Sequence, residues 1–164
     1  MTAPQHLLQL AAKLGLEEST LPVLKVLPLV YVAWSDGELQ VQERDAILAT
    51  APRLAIDTEE QLAILHAWLE QRPSEDFFRA GLHTLAYLLA SLDEQAGQRA
   101  ADDVAEFCAL VAQAAGGLAG HRERIDPAEA IAMREVVMQL RLASRQSSRD
   151  ALRKLLEAKK TVVL

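Results

Sequence analysis

The chain has 164 residues, 51% of them hydrophobic but only 4% aromatic, which predicts one domain with a core of Ala, Leu and Val side chains. The single cysteine, Cys108, excludes an intrachain disulfide and a multi-thiolate zinc site. The longest apolar run, Leu21 to Trp34, contains a lysine and two prolines and is too short to cross a bilayer. The N-terminus lacks a signal-peptide pattern, so we expect a cytoplasmic location.

The formal net charge of −6 is distributed unevenly. Residues 1–140 contain ten Lys/Arg and twenty-one Asp/Glu, whereas residues 141–164 contain seven Lys/Arg and two Asp/Glu. An acidic body argues against nucleic acid as the main partner, because duplex binding depends on a Lys/Arg surface that neutralises phosphates.

Helix start and stop signals divide the chain, and no segment shows the alternating β-branched pattern of strands. The sequence therefore predicts an all-α protein with a single compact domain of seven to eight helices. The predicted helices cover approximately residues 5–14, 21–34, 41–49, 58–72, 75–92, 98–115, 127–142 and 149–159.

Individual residues set the predicted helix ends. Gly15 ends the first helix, and Pro28 is expected to kink the second, because proline lacks a backbone N–H. Asp57 has a glutamate three residues later, which is the capping-box spacing, and Ser74 is expected to cap the following helix. Asp93 to Gly97 is predicted to be a polar break before the sixth helix.

The fifth predicted helix carries the widest apolar stripe, and we expect it to be the central helix of the domain. The stripe consists of Phe77, Phe78, Leu82, Leu85, Leu88, Leu89 and Leu92.

An Asp-Gly turn between two helices is the most informative stretch of the sequence. Trp34 ends an apolar helix, Asp36 and Gly37 form a tight turn, and a new helix begins near Val41 with Glu43 in its first turn. Gly37 is expected to take a positive φ. Asp36 would then stabilise the turn, and Glu43 would cap backbone N–H groups at the start of the next helix.

The same stretch also fits the second half of an EF-hand loop, with a carboxylate at position five, glycine at six and glutamate at twelve. Positions one and three fall on Val32 and Trp34, which offer no side-chain oxygen. A divalent cation would find Asp36 and Glu43 first, and Glu38 second. Two roles therefore stay open for these carboxylates: turn and cap residues, or ligands of a weak divalent-cation site.

A second helix end and helix start repeat the pattern. Val111 to Gly116 resembles the helix end, and Ile125 to Ile131 resembles the helix start, with a loop inserted between them. Ala115 replaces the aspartate, so no cation site is expected in this copy. We interpret the repeat as two pseudo-repeated halves, in which the small side chains of Ala33 and Ala112 let helices approach closely.

The motif Ala33-Trp34-Ser35-Asp36-Gly37-Glu38-Leu39 with Glu43, and its echo ending in Glu129, resembles the TerB-like family of tellurite-resistance proteins and the N-terminal domain of DjlA-type co-chaperones. The resemblance covers approximately residues 14–142. It implies an all-helical domain of two pseudo-symmetric halves, with acidic residues proposed to bind metal. The J-domain tripeptide His-Pro-Asp is absent from the sequence, so co-chaperone activity is not carried over.

Other polar residues are assigned to the surface. The sequence contains no Ser-His-Asp or Cys-His arrangement, no phosphate-binding loop and no dinucleotide fingerprint, so no enzymatic activity is predicted. The residues assigned to the surface are His6, His66, His83, His121, Asp102, Asp103 and Glu106. The three acidic residues of this set are also a weaker candidate group for lying next to Asp36 and Glu43 in space.

The sequence divides into residues 1–142, the TerB-like helical domain, and residues 143–164, a basic C-terminal tail. Four arginines at four-residue spacing, from Arg141 to Arg153, would line one helix face if the polar segment Ser144 to Ser148 stays helical. We expect this face to contact the acidic body or a second subunit rather than a membrane. The predicted function is a non-enzymatic protein-interaction module of a tellurite-resistance or envelope-stress response, with an unidentified protein partner or a homodimer; the alternative is a divalent-cation sensor.

Overall fold

The computed structural model describes residues 5–92, 94–116, 127–128 and 130–140. Every regular element in this part of the chain is helical, which confirms the predicted all-α class. The α-helices are α1 (Gln5–Lys13), α2 (Leu27–Trp34), α3 (Val41–Thr50), α4 (Glu59–Glu70), α5 (Glu75–Ala90), α6 (Glu94–Gly116) and α7 (130–140). Two 3-10 helices cover Glu18–Lys25 and Ala51–Leu54.

The predicted kinked helix over residues 21–34 is wrong in its boundaries. The chain forms a 3-10 helix over Glu18–Lys25 and then a separate helix, α2, in which Pro28 lies in the first turn. Proline is tolerated there because the first backbone N–H groups of a helix have no intrahelical acceptor. Pro28 therefore begins a helix instead of bending one.

The N-cap of α4 is Thr58, not Asp57. The Thr58 side chain accepts a hydrogen bond from the Gln61 backbone N–H at 3.2 Å, and Gln61 Oε1 accepts from the backbone N–H groups of Asp57 and Thr58. Gln61 also donates to the Ser19 carbonyl at 2.9 Å, which ties the start of α4 to the first 3-10 helix. Because Gln61 makes this contact with a distant segment, the helix start that uses Gln61 is favoured over one capped by Asp57. The predicted Ser74 cap of α5 is confirmed, because its side chain accepts from the Phe77 N–H.

The predicted polar break over residues 93–97 is also wrong, because α6 already begins at residue 94. Gly97 is a buried residue of this helix. A glycine inside a helix costs about 1 kcal/mol relative to alanine, which is small beside the burial of a 23-residue helix. The free energy of packing α6 therefore outweighs the local preference for a break near Gly97.

The core lies where α2, α3 and α5 pack against α6, and α1 packs against α5. Ala33 of α2 and Ala112 of α6 are both buried, as expected for helices that approach closely. Helix α5 packs against α1, α2 and α6, and four residues of its predicted stripe are fully or almost fully buried, whereas Leu92 lies beyond the helix and is 36% exposed. The four buried residues are Phe78, Leu82, Leu85 and Leu89.

Within the described ranges, no helix is both long enough and apolar enough to cross a membrane. The inserted loop before Ile125, the C-terminal helix predicted over 149–159 and the arginine face all lie outside the described residues. The helical state of residues 127–128 and 130–140 agrees with the seventh predicted helix.

Candidate functional site

The Asp-Gly turn has the local geometry that the sequence predicts. Gly37 has a φ of +91°, and its N–H donates to the Trp34 carbonyl at 2.9 Å. Asp36 Oδ1 accepts the backbone N–H of Glu38 at 3.1 Å, and both acidic side chains are exposed. Asp36 therefore closes the turn through its own side chain.

Glu43 is the one carboxylate of this motif that lies inside the protein. Its side chain is fully buried in the first turn of α3, and its Oε2 accepts the backbone N–H of Gln40 at 2.9 Å. A buried carboxylate is tolerated only where hydrogen bonds replace its hydration. Glu43 thus acts as a cap for the start of α3.

These positions separate the three candidate metal ligands. Asp36 and Glu38 face solvent on the turn, whereas Glu43 is directed into the core. In the part of the chain that the structure describes, no three His, Cys, Asp or Glu side chains are grouped so that they could hold a metal ion. Metal binding by the three carboxylates stays a prediction, and the observed geometry supports their turn and cap roles.

The other sequence candidates lie on the surface or in the core. His6, His66 and His83 are exposed, as predicted, and so are the α6 residues Asp102, Asp103 and Glu106. Cys108 is fully buried, and burial raises the pKa of its thiol to about 12. The thiol is therefore protonated and unreactive at neutral pH.

A groove that the sequence did not predict lies between α2, α5 and α7. It consists of two cavities of about 540 Å³ and 240 Å³ that share Tyr31, Glu75 and Glu135, and we call it the Tyr31 cleft. The larger cavity is further lined by Phe78, Arg79, Leu82, His83, Ala86, Val136 and Gln139. The smaller cavity is further lined by Ser35, Arg72, Ala128, Ile131 and Ala132.

Tyr31 lies at the junction of the two cavities. Its ring packs edge-on against Phe78, with 5.1 Å between the ring centroids. Its hydroxyl donates to Glu135 Oε2 at 3.4 Å, a long hydrogen bond that links α2 to α7. Burial raises the pKa of the Tyr31 hydroxyl above its usual 10, and the nearby carboxylates of Glu135 and Glu75 raise it further. Tyr31 is therefore a protonated hydrogen-bond donor at neutral pH.

The acidic groups in and next to the cleft differ in their ion pairs. Glu75 accepts a hydrogen bond from Arg72 at 2.6 Å, and Asp76 lies 3.9 Å from Arg79 at the protein surface. Glu135 belongs to neither pair among the described residues, and Tyr31 is its hydrogen-bond partner. Glu135 is exposed, so its charge is available to a ligand that enters the cleft.

No local signal could have revealed this cleft. Tyr31 and Glu135 are separated by 104 residues, and neither residue is unusual within its own segment of the sequence. The only hint is that Tyr31 is the one side chain with a polar tip between Leu27 and Ala33, within an otherwise apolar helix. A tyrosine at such a position often places its hydroxyl at a polar surface.

No protein-family model, curated protein or solved structure matches the chain. The described residues form an all-helical fold with a groove of mixed polar and apolar lining.

Proposed function

We propose that the chain is a non-enzymatic cytoplasmic module that binds a protein partner through the Tyr31 cleft. The TerB-like motif around Asp36 and Gly37 supports a place in a tellurite-resistance or envelope-stress response. The single observation that carries the proposal is the pair of adjoining cavities with Tyr31 at their junction.

The cleft has the composition of a docking groove. Phe78, Leu82 and Val136 are buried apolar residues of its lining, and Ile131 at the smaller cavity is 59% exposed. The carboxylate of Glu135 supplies a charged group at the same groove. Grooves of this kind accept the apolar face of an amphipathic helix, and their polar residues fix its orientation.

The cleft is poorly suited to covalent catalysis. Its lining includes no cysteine, and Ser35 and His83 line different cavities. The raised pKa of Tyr31 keeps its hydroxyl protonated, so it can donate a hydrogen bond but is a poor nucleophile. The geometry of the cleft supports non-covalent binding of a partner better than it supports covalent catalysis.

Site-specific photo-crosslinking in cells tests this proposal. A photoreactive residue at Ile131 or His83, which line the smaller and larger cavity respectively, should yield the same crosslinked partner. A photoreactive residue at Leu110, which is 43% exposed on α6 and lines neither cavity, is the matched control. Equal crosslinking from all three positions, or from none, would refute docking at the cleft.

The proposed physiological role needs a separate test. A strain that lacks the protein should be more sensitive to tellurite or to envelope stress, and the natural chain should restore resistance. The variant Glu135→Lys should restore it poorly, because the substitution reverses the exposed charge of the cleft. Full complementation by this variant would separate the stress role from the cleft.

A further inference from the structure

We propose that the basic tail, extended to residues 141–164 so that it includes Arg141, occupies the Tyr31 cleft. This inference rests on the proposed use of the cleft as a docking site. It goes further by naming an occupant within the chain itself, which a protein partner would have to displace.

Charge is the first observation in favour of the tail. The tail contains seven Lys/Arg and two Asp/Glu, whereas residues 1–140 carry an excess of eleven negative charges. The exposed carboxylate of Glu135 lies at the junction of both cavities and belongs to no ion pair of the described residues. A basic segment is therefore the complementary occupant.

The apolar pattern of the tail is the second observation. Leu152, Leu155 and Leu156 would lie on one side of a helix, with Arg149 and Arg153 next to them. The larger cavity presents buried apolar side chains, including those of Leu82 and Val136, next to the Glu135 carboxylate. An amphipathic basic helix could satisfy the apolar and the acidic parts of the cleft together.

Chain length and position are the third observation. The tail begins directly after α7, which forms one wall of the cleft, and Gln139 at the end of that helix lines the larger cavity. The eleven residues of α7 span about 16 Å, and a helix over 149–159 would have the same length. The polar segment 144–148 is long enough for the reversal, because helix–helix connections commonly have two to eight residues. The length of the tail is therefore compatible with binding along α7.

Limited proteolysis of the 164-residue chain tests the proposal. Trypsin digestion is carried out at low salt. Mass spectrometry then measures cleavage after Arg149 and Arg153 separately from cleavage at other sites. Cleavage of exposed segments reports the population in which the tail is released. The charge reversal Glu135→Lys should raise the cleavage rate roughly threefold to fivefold, the effect expected for the loss of an exposed charge interaction.

Two further variants make the result specific. Asp103→Lys introduces the same charge change on α6 at an exposed residue that lines neither cavity, so it should leave the cleavage rate unchanged. Ala86→Trp fills the larger cavity without a change of charge and should raise the rate as Glu135→Lys does. Combining Glu135→Lys with Arg153→Glu should restore part of the protection at Arg149, the monitored site that this double variant keeps.

Three results would overturn the proposal. An equal rise in the cleavage rate for Glu135→Lys and Asp103→Lys would show that the overall negative charge of the domain, not the cleft, holds the tail. Rapid cleavage of the natural chain that does not change in the variants would show that the tail lies outside the cleft. Protection that grows with protein concentration would assign the tail to the cleft of a second copy. None of these results bears on crosslinking of a partner at Ile131 and His83, so failure of this inference remains distinct from failure of the proposed function.

Discussion

Gly81→Ala is the substitution for which the structure gives the sharpest expectation. Gly81 lies inside α5, where a Cβ atom would overlap Leu27 Cδ2, and the Leu27 side chain is completely buried. Alanine in place of glycine gains about 1 kcal/mol in helix propensity. Overpacking of a filled core costs about 1–3 kcal/mol. We therefore expect the free energy of unfolding to fall by about 1 kcal/mol, because the Leu27 side chain must shift within a packed core.

Urea denaturation followed by circular dichroism measures this change, and a double-mutant cycle identifies its cause. Leu27→Ala alone should cost about 2–5 kcal/mol, since it leaves a cavity. In that background Gly81→Ala should be neutral or stabilising by up to about 1 kcal/mol, because the clash is gone while the helix propensity remains. Ala80→Gly, at the exposed neighbouring position, is the control that measures propensity in α5 without a clash. An equal penalty for Gly81→Ala with and without Leu27, or a stabilised single variant, would refute the packing explanation.

Four further outcomes are expected. Glu43→Ala should lower the free energy of unfolding by about 1–3 kcal/mol, because it removes a fully buried cap, while Glu38→Ala on the exposed turn should change it by less than about 0.5 kcal/mol. Equal effects in urea denaturation would contradict the assigned roles. The pKa of Tyr31 is raised in the folded protein, so its contribution to stability is complete below pH 10 and is lost as the pH rises through the folded pKa. The stability of the natural chain relative to Tyr31→Phe should therefore decline above pH 10, and a constant difference between them would argue against the shift. The pKa of the buried Cys108 thiol is about 12, so it should react with a thiol reagent only after denaturation, and rapid labelling of the native protein would show that this residue is accessible. Calcium, magnesium, manganese or zinc at millimolar concentration should leave the melting temperature unchanged relative to chelator, whereas a rise that Asp36→Asn abolishes would establish the cation site.

The sequence determined the parts of the fold that depend on neighbouring residues. Gly15 and Gly37 have positive φ at the predicted helix end and turn, and Ser74 caps α5 as predicted. These signals succeed because a cap or a turn is completed within three or four residues of chain. The apolar stripe of α5 likewise follows from helical periodicity, and it identified buried residues of this helix correctly.

Only the tertiary structure decided features in which distant segments compete with local preference. Gln61 selects Thr58 as the N-cap of α4 and at the same time reaches the Ser19 carbonyl, 42 residues away. Gly97 lies within α6 although its local sequence indicates a break. In both cases the free energy of packing and long-range hydrogen bonds exceeds the propensity differences of about 1 kcal/mol that sequence patterns express.

The candidate site shows the same division. The sequence left two roles open for Asp36 and Glu43, as turn and cap residues or as cation ligands, and the structure shows the hydrogen bonds of the turn and the cap. The sequence contained no indication of the Tyr31 cleft, because that groove exists only where α2, α5 and α7 meet. Tyr31 and Glu135 are brought together by helix packing, and a contact across 104 residues leaves no periodic or spacing pattern in a single sequence.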